Sequence, residues 1–185
     1  MFKSSKILTI LAVSSLPLAA IAAPTVTFEG EVTDQTCVVS VNGQTNSVVM
    51  LPTVAMTEFG ATLTNGQSAG QTPFTVSISG CKVDATNAQP VKVKFLGYDV
   101  DASTGVLGNR ATTNEAAGFG IQLMDEGTGG NPIVLNGPTS VSGLSLAANA
   151  TSASHDFGAR YFVTNAAIAK PGKITAVAEY TLSYF

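Results

Sequence analysis

Apolar and polar residues alternate with period two through much of this chain, the pattern of half-buried β-strands. "PFTVSISGC" (73–81) is the clearest case, with Phe74, Val76 and Ile78 on one face. "VKVKFLGY" (91–98) groups Val91, Val93 and Phe95 and turns Lys92 and Lys94 the other way. "FGIQLMD" (119–125) aligns Phe119, Ile121 and Leu123, and "IVL" (133–135) returns after the turn "EGTGGNP" (126–132). Two long strands are predicted in the final third, "HDFGARYFVT" (155–164) and "KITAVAEYTLSYF" (173–185), joined by "NAAIAKPG" (165–172). The last of these keeps Ala178, Tyr180, Leu182 and Tyr184 in one register.

Nearer the start, "VVSV" (38–41) and "SVVML" (47–51) flank "NGQTN" (42–46), and Pro52 ends the second run. Asn-Gly between two apolar runs signals a turn. Residues 60–71 and 103–118 read as polar loops. "SVSGLSLAANA" (140–150) comes nearest to a helical pattern and reads as extended or irregular. No segment of ten or more residues combines a 3.6-residue period with helix caps. Several strands with turn signals at short spacing predict an all-β, immunoglobulin-like sandwich.

One further strand stands apart. "TVTFEGEV" (25–32) places Val26, Phe28 and Val32 in one register and Thr27, Glu29 and Glu31 in the other. Gly30 falls in the apolar register, where a glycine ordinarily weakens a strand. What precedes this strand reads as a secretory signal peptide: Lys3 and Lys6, the apolar core "ILTILAVSSLPL" (7–18) and the small-residue site "AIA" (20–22). Residues 1–22 are too short a leader to be a spanning helix and are expected to be removed after Ala22.

Composition narrows the function. Of nine Lys and Arg residues two lie in the leader, so the exported chain sets seven basic against twelve acidic residues. With no basic run, nucleic acid is not an expected partner. Charged residues make up 11% of the chain, well below the roughly 25% of ordinary globular domains. In an exported protein the two cysteines, Cys37 and Cys81, are expected to form one disulfide. Its chain-entropy contribution is about 4 kcal/mol. Two cysteines and one histidine do not suffice for a structural zinc site, and no metal or cofactor is expected.

Candidate chemistry is sparse. His155 beside Asp156 could nominally join a serine in a triad, but no Gly-x-Ser-x-Gly elbow is present. Asp99 with Asp101, and Asp125 with Glu126, are the available carboxylate pairs for glycosidase work. Both border turns, where acids serve the backbone. The absence of Trp removes the usual signal of a sugar-binding module. No catalytic residue is therefore assigned.

The information lies at the two ends. The chain stops at Phe185 directly after an alternating strand, while a spare strand sits in front of the domain, set off by "TDQT" (33–36). The spare strand can fold back within its own chain, or pair with the next molecule. An open sheet edge paired head-to-tail with a neighbour's strand builds a filament.

The residues resemble the chaperone–usher pilins of the type 1 fimbrial family, most of all its major subunits. The resemblance runs from Ala23 to Phe185. It rests on "TVTFEGEV" followed by Cys37, "TPFTVSISGC" (72–81), "FGIQLMDEGTGG" (119–130), "ARYFVT" (159–164), Gly172 fourteenth from the end and the penultimate Tyr184. "DQTC" (34–37) and "LPTV" (51–54) are similar to F17-type subunits. The resemblance implies an immunoglobulin-like sandwich (37–185) that lacks its last strand. An N-terminal extension (23–36) would complete a neighbouring subunit by donor-strand exchange. Val26, Phe28, Gly30 and Val32 would be the donor side, with Gly30 over a shallow pocket. Gly172, Tyr180, Leu182, Tyr184 and Phe185 would lie on the strand facing the groove and a periplasmic chaperone, and Cys37 and Cys81 would join the first two strands. The implied partners are neighbouring subunits, that chaperone and an outer-membrane usher. The implied location is a fimbrium on the bacterial surface, in a fibre used in adhesion. A minor or adaptor subunit of the same system is the alternative, because only "AP" precedes "TVTF"; a secreted monomeric binding module or hydrolase is a more distant one.

Overall fold

The computed structural model describes residues 30–184. The chain divides into two units, residues 1–30 and 31–185, and the second is described below. The leader, Val26, Phe28 and Phe185 lie outside the described residues. Among the described residues no helix is long and apolar enough to cross a membrane.

Among the described residues this unit has ten strands. They are β1 (Val38–Val41), β2 (Ser68–Ser79), β3 (Gln89–Gly97), β4 (Val100–Asp101), β5 (Val106–Leu107), β6 (Phe119–Met124), β7 (Pro132–Ile133), β8 (Thr139–Leu146), β9 (Ala153–Val163) and β10 (Ala178–Ser183). One sheet runs β1-β2-β9-β6-β5-β4 with β7 beside β6; the other runs β10-β3-β8. Every named pairing is antiparallel.

The period-two residues fill the space between the sheets. Phe74, Val76 and Ile78 on β2 meet Val91, Val93 and Phe95 on β3, and all six are buried. Phe157 on β9 is fully buried and bridges the layers, its ring 5.9 Å from Phe74 and 5.4 Å edge-on from Phe95. A second cluster packs beside the first, where Phe59 at the end of a short 3-10 turn meets Phe119, Ala116 and Val163. All six residues of β6 are buried rather than alternate ones: on the second face Gly120 lies against Val106 and Leu107, and Gln122 accepts two hydrogen bonds from Arg160.

The expected disulfide is present between Cys37 and Cys81, tying the start of β1 to the end of β2. At the other end of β1, Asn42 (φ 49°) and Gly43 (φ 77°) form the predicted Asn-Gly turn.

Four expectations need correction. "SVVML" (47–51) is extended but joins no ladder among the described residues, because β1 takes β2 as its partner instead. The polar stretch 60–71 is not all loop: Ser68–Gln71 begin β2, with a bulge between Ala69 and Thr72 where Gly70 turns at φ 68°. The polar stretch 103–118 holds β5, whose Val106 and Leu107 are core residues. The last strand begins at Ala178, not at 173. Residues 173–175 are held instead by the side chain of Asn109, which donates to the Lys173 carbonyl and accepts from the Thr175 amide.

Candidate functional site: a cleft between two strand edges

The sandwich is open along one side. There, the extended run 47–51 and the run 174–180 face each other across a cleft of about 580 Å³. Among the described residues β10 is the outer strand of its sheet, and 47–51 lies in no sheet. The cleft floor is the core itself, formed by Phe74, Phe95, Ile121 and Leu123. Alternation sets the walls. Val49 and Leu51 turn inward on one side and pack on the core, while Val48 (76% exposed) and Met50 (79% exposed) stand outward. On the other side Ile174, Ala176, Ala178 and Tyr180 turn inward.

Two devices fix the walls. Asn109 uses all of its amide: it donates to the Ala116 and Lys173 carbonyls and accepts from the Ala111 and Thr175 amides. Together with backbone bonds of Lys173 to Asn114 and Ala116, and of the Thr175 carbonyl to the Arg110 amide, these hold residues 173–175 beside residues 109–116. Gly172, just before them, lies against the backbone of residues 114–116, where a Cβ would meet three backbone atoms at 2.5 Å. At the other end the Tyr180 phenol donates to the Thr45 carbonyl at 2.6 Å.

The expected site residues are distributed as follows. Tyr180 lines the cleft; Leu182 and Tyr184 continue its register on the core side but lie beyond the cleft lining. Burial raises the Tyr180 phenol above its ordinary pKa, and burial with the nearby Glu31 carboxylate raises that of Tyr184. Gly172 supports the wall rather than lining it. Gly30 has open space around it, and Val32 is 95% exposed. Polar contacts anchor the chain on either side of Val32. Glu31 accepts from Ser183 Oγ (2.9 Å) and the Tyr184 amide (2.8 Å), and Asp34 pairs with Lys82. Thr36 donates to the Gly80 carbonyl. Sequence reading missed Asn109, Ile174, Ala176 and the inward Val49 and Leu51. Parity alone could have supplied the apolar four. Nothing local marks Asn109.

The candidate catalytic groups serve the fold. His155 Nε2 lies 2.7 Å from the Asp125 carbonyl, with its ring edge-on to Phe157. Asp125 accepts from the Asn131 amide and side chain, which hold its carboxyl below the usual range. Asp101 caps Ser103 and Thr104 in the same way, and Asp99 pairs with Arg110.

An immunoglobulin-like sandwich with a core-floored cleft along one side is the form of a pilus subunit, and comparison with known proteins agrees. Residues 26–185 match the family described as "Fimbrial protein". The chain is 36% identical to the major fimbrial subunit SMF-1 of Stenotrophomonas maltophilia (strain K279a), over 92% of this chain and 98% of that one. It is 33% identical to the F17 fimbrial protein of Escherichia coli, over 100% of this chain and 99% of that one. In fold it is similar to a subunit in the solved structure of a chaperone–usher pilus, with a TM-score of 0.56 at 18% identity, covering 94% of this chain and 100% of that chain. The protein belongs to the fimbrial protein family: it is a structural subunit of a bacterial surface pilus, not an enzyme. These relatives favour a main structural subunit over a minor one.

Proposed function

We propose that this subunit polymerises by donor-strand exchange, with the cleft as acceptor and the N-terminal extension of the next copy as donor. The observation that carries this reading is the cleft: an apolar slot, floored by core side chains, between two edges that share no ladder among the described residues. A strand laid there would take hydrogen bonds from both edges and cover the core, which is strand addition to an open sheet. Val26, Phe28 and Val32 are the side chains that would turn inward. Gly30 would pass over the shallowest part, where a side chain has no room. Donation of the segment up to Val32 releases the Glu31 contacts with Ser183 and Tyr184.

The same slot needs cover before assembly, because exposed core invites aggregation. A periplasmic chaperone would lend it a strand and hold the carboxylate of Phe185 beside Tyr184 and Leu182. An outer-membrane usher would exchange that strand for the next subunit's extension. Such head-to-tail contacts do not close, so they yield a fibre.

The test is thermal unfolding of a subunit lacking residues 23–33, with and without a synthetic "APTVTFEGEVTD" peptide. The expected result is a large rise in melting temperature, abolished when Phe28 of the peptide is replaced by Asp. A truncated domain already stable, with no shift on adding peptide, sinks the reading.

A further inference from the structure

We propose that the Tyr180 side chain is a strap that closes one end of the empty cleft and must be released before a donor strand can seat along its full length; this rests on the donor-strand reading above. Tyr180 sits in β10 opposite Phe95 of β3, with its side chain turned toward the core. Its phenol crosses from one cleft edge to the other and donates to the Thr45 carbonyl at 2.6 Å. That carbonyl belongs to the chain just before the 47–51 wall. The strap therefore ties together the two edges that an incoming strand must run between.

The two ends of the cleft differ. At the far end, Val54, just beyond the 47–51 wall, and Ile174 pack on the Phe59 cluster. There the Tyr161 hydroxyl, from the cleft floor, donates to the Pro52 carbonyl at 3.1 Å, but among the described residues no hydrogen bond crosses from Leu51 or Pro52 to Ile174 or Ala176. At the Tyr180 end the ring also lines a second recess of about 830 Å³ that holds Asn46, Tyr98, Arg110 and Glu179. Three of these are already engaged: Tyr98 donates to Glu179, and Arg110 pairs with Asp99 while lying over the Tyr98 ring. An apolar strand gains by seating first over Ile121 at the open end, where the ladder partner of Ile121, Tyr161, packs on the Phe59 cluster. At the strapped end it must displace the phenol from the acceptor and from the space between the edges. Seating is thus ordered, apolar end first and Tyr180 end last.

The test uses the exported chain from residue 23 onward, refolded with its disulfide intact, and a fluorescent peptide of residues 23–34 in large excess. Tyr180→Phe removes only the hydroxyl. A net hydrogen bond lost from the empty state predicts association faster by roughly two- to ten-fold, with dissociation of the seated peptide unchanged. Peptides shortened from either end complete the test: the one that stops short of Thr45 should bind both proteins at the same rate. Tyr180→Leu gives the same direction should the phenylalanine variant refold poorly. Equal or slower association of the full peptide with both variants overturns the strap. Failure of the peptide to bind even the unsubstituted chain overturns the donor-strand reading beneath it, a result recognisably different from the first.

Discussion

A Cβ placed on Gly172 would lie 2.5 Å from the amide nitrogen of Ala116. The two residues sit where two stretches of chain run side by side. Lys173 donates to the Asn114 carbonyl at 2.7 Å, and Ala116 donates back to Lys173 at 2.9 Å. Both partners at this contact are backbone, so neither can swing aside. Gly172→Ala is expected to destabilise the subunit by about 1–3 kcal/mol, the usual cost of forcing atoms into a packed site. Urea denaturation measures it. Because Gly172 precedes the cleft wall, peptide uptake should weaken as well.

Asn109 carries the next stretch of that wall. Asn109→Asp keeps the oxygen that accepts from Ala111 and Thr175 but loses both donors. Asn109→Ala loses all four bonds. The expected order of stability is therefore Asn, then Asp, then Ala, with the alanine variant lower by about 2–4 kcal/mol. Amide exchange at Ala111 and Thr175, the two amides that donate to Asn109, should speed up in the same order, read by hydrogen–deuterium exchange of the refolded chain.

The Cys37–Cys81 bond anchors β1 to the edge of its sheet. Replacing both residues by Ser is expected to cost roughly 2–5 kcal/mol. Guanidinium unfolding of the oxidised and variant proteins measures that difference. Detachment of β1 also frees the run to 47–51, so donor-peptide affinity should fall in parallel.

Stability should be flat near neutral pH and fall at both extremes. The amides of Thr86 and Asn87 hold Asp84 at about 2, below its ordinary 3.8, and Asp101 and Asp125 are lowered by hydrogen bonds within their own turns. A folded state with depressed carboxyl pKa values binds fewer protons than the unfolded chain. Its advantage is present above about pH 4 and drains away down to about pH 2. The tyrosines act oppositely. Burial raises Tyr161, Tyr180 and Tyr184 above 10, so their contribution is intact below pH 10 and is lost as the pH climbs past it. Melting temperatures from pH 2 to pH 12 trace both arms. Asp84→Asn should remove part of the acid arm and leave the alkaline arm alone.

What could be read from residues alone follows from how local the causes are. Val91, Val93 and Phe95 declare a strand because burial alternates along one continuous run. The same reasoning misplaced 47–51 and 173–177. Their alternation is real, since Val49, Leu51, Ile174 and Ala176 do turn inward. Alternation reports which face is buried, not which backbone neighbour a run takes: 47–51 joins no ladder among the described residues, and 173–177 makes only scattered backbone bonds, to Tyr98, Arg110, Asn114 and Ala116. β5 was lost for another reason. Val106 and Leu107 are two apolar residues inside a polar stretch, too few to show a period, and pairing with β6 and β4 makes them a strand. Asn109 stayed hidden because its four partners include residues more than sixty positions away.

The cleft wall of β10 and its approach is lined by two small residues, Ala176 and Ala178, beside Ile174 and Tyr180. Small side chains there leave the volume that a donor's apolar groups would take. Ala176→Phe should therefore fill the cleft from within. A phenyl ring laid on Phe74, Ile121 and Leu123 covers apolar surface, and each 25 Å² or so of it contributes about 0.6 kcal/mol. The subunit alone is expected to keep or raise its melting temperature and to become more soluble. It should also lose the shift on adding donor peptide and stop the growth of polymers at its own position, while its intact extension still caps a neighbour. Mixing experiments read this directly: small amounts of the variant should shorten the fibres formed by the unsubstituted protein. If the variant is stabilised yet polymerises normally, the donor binds elsewhere than in this cleft.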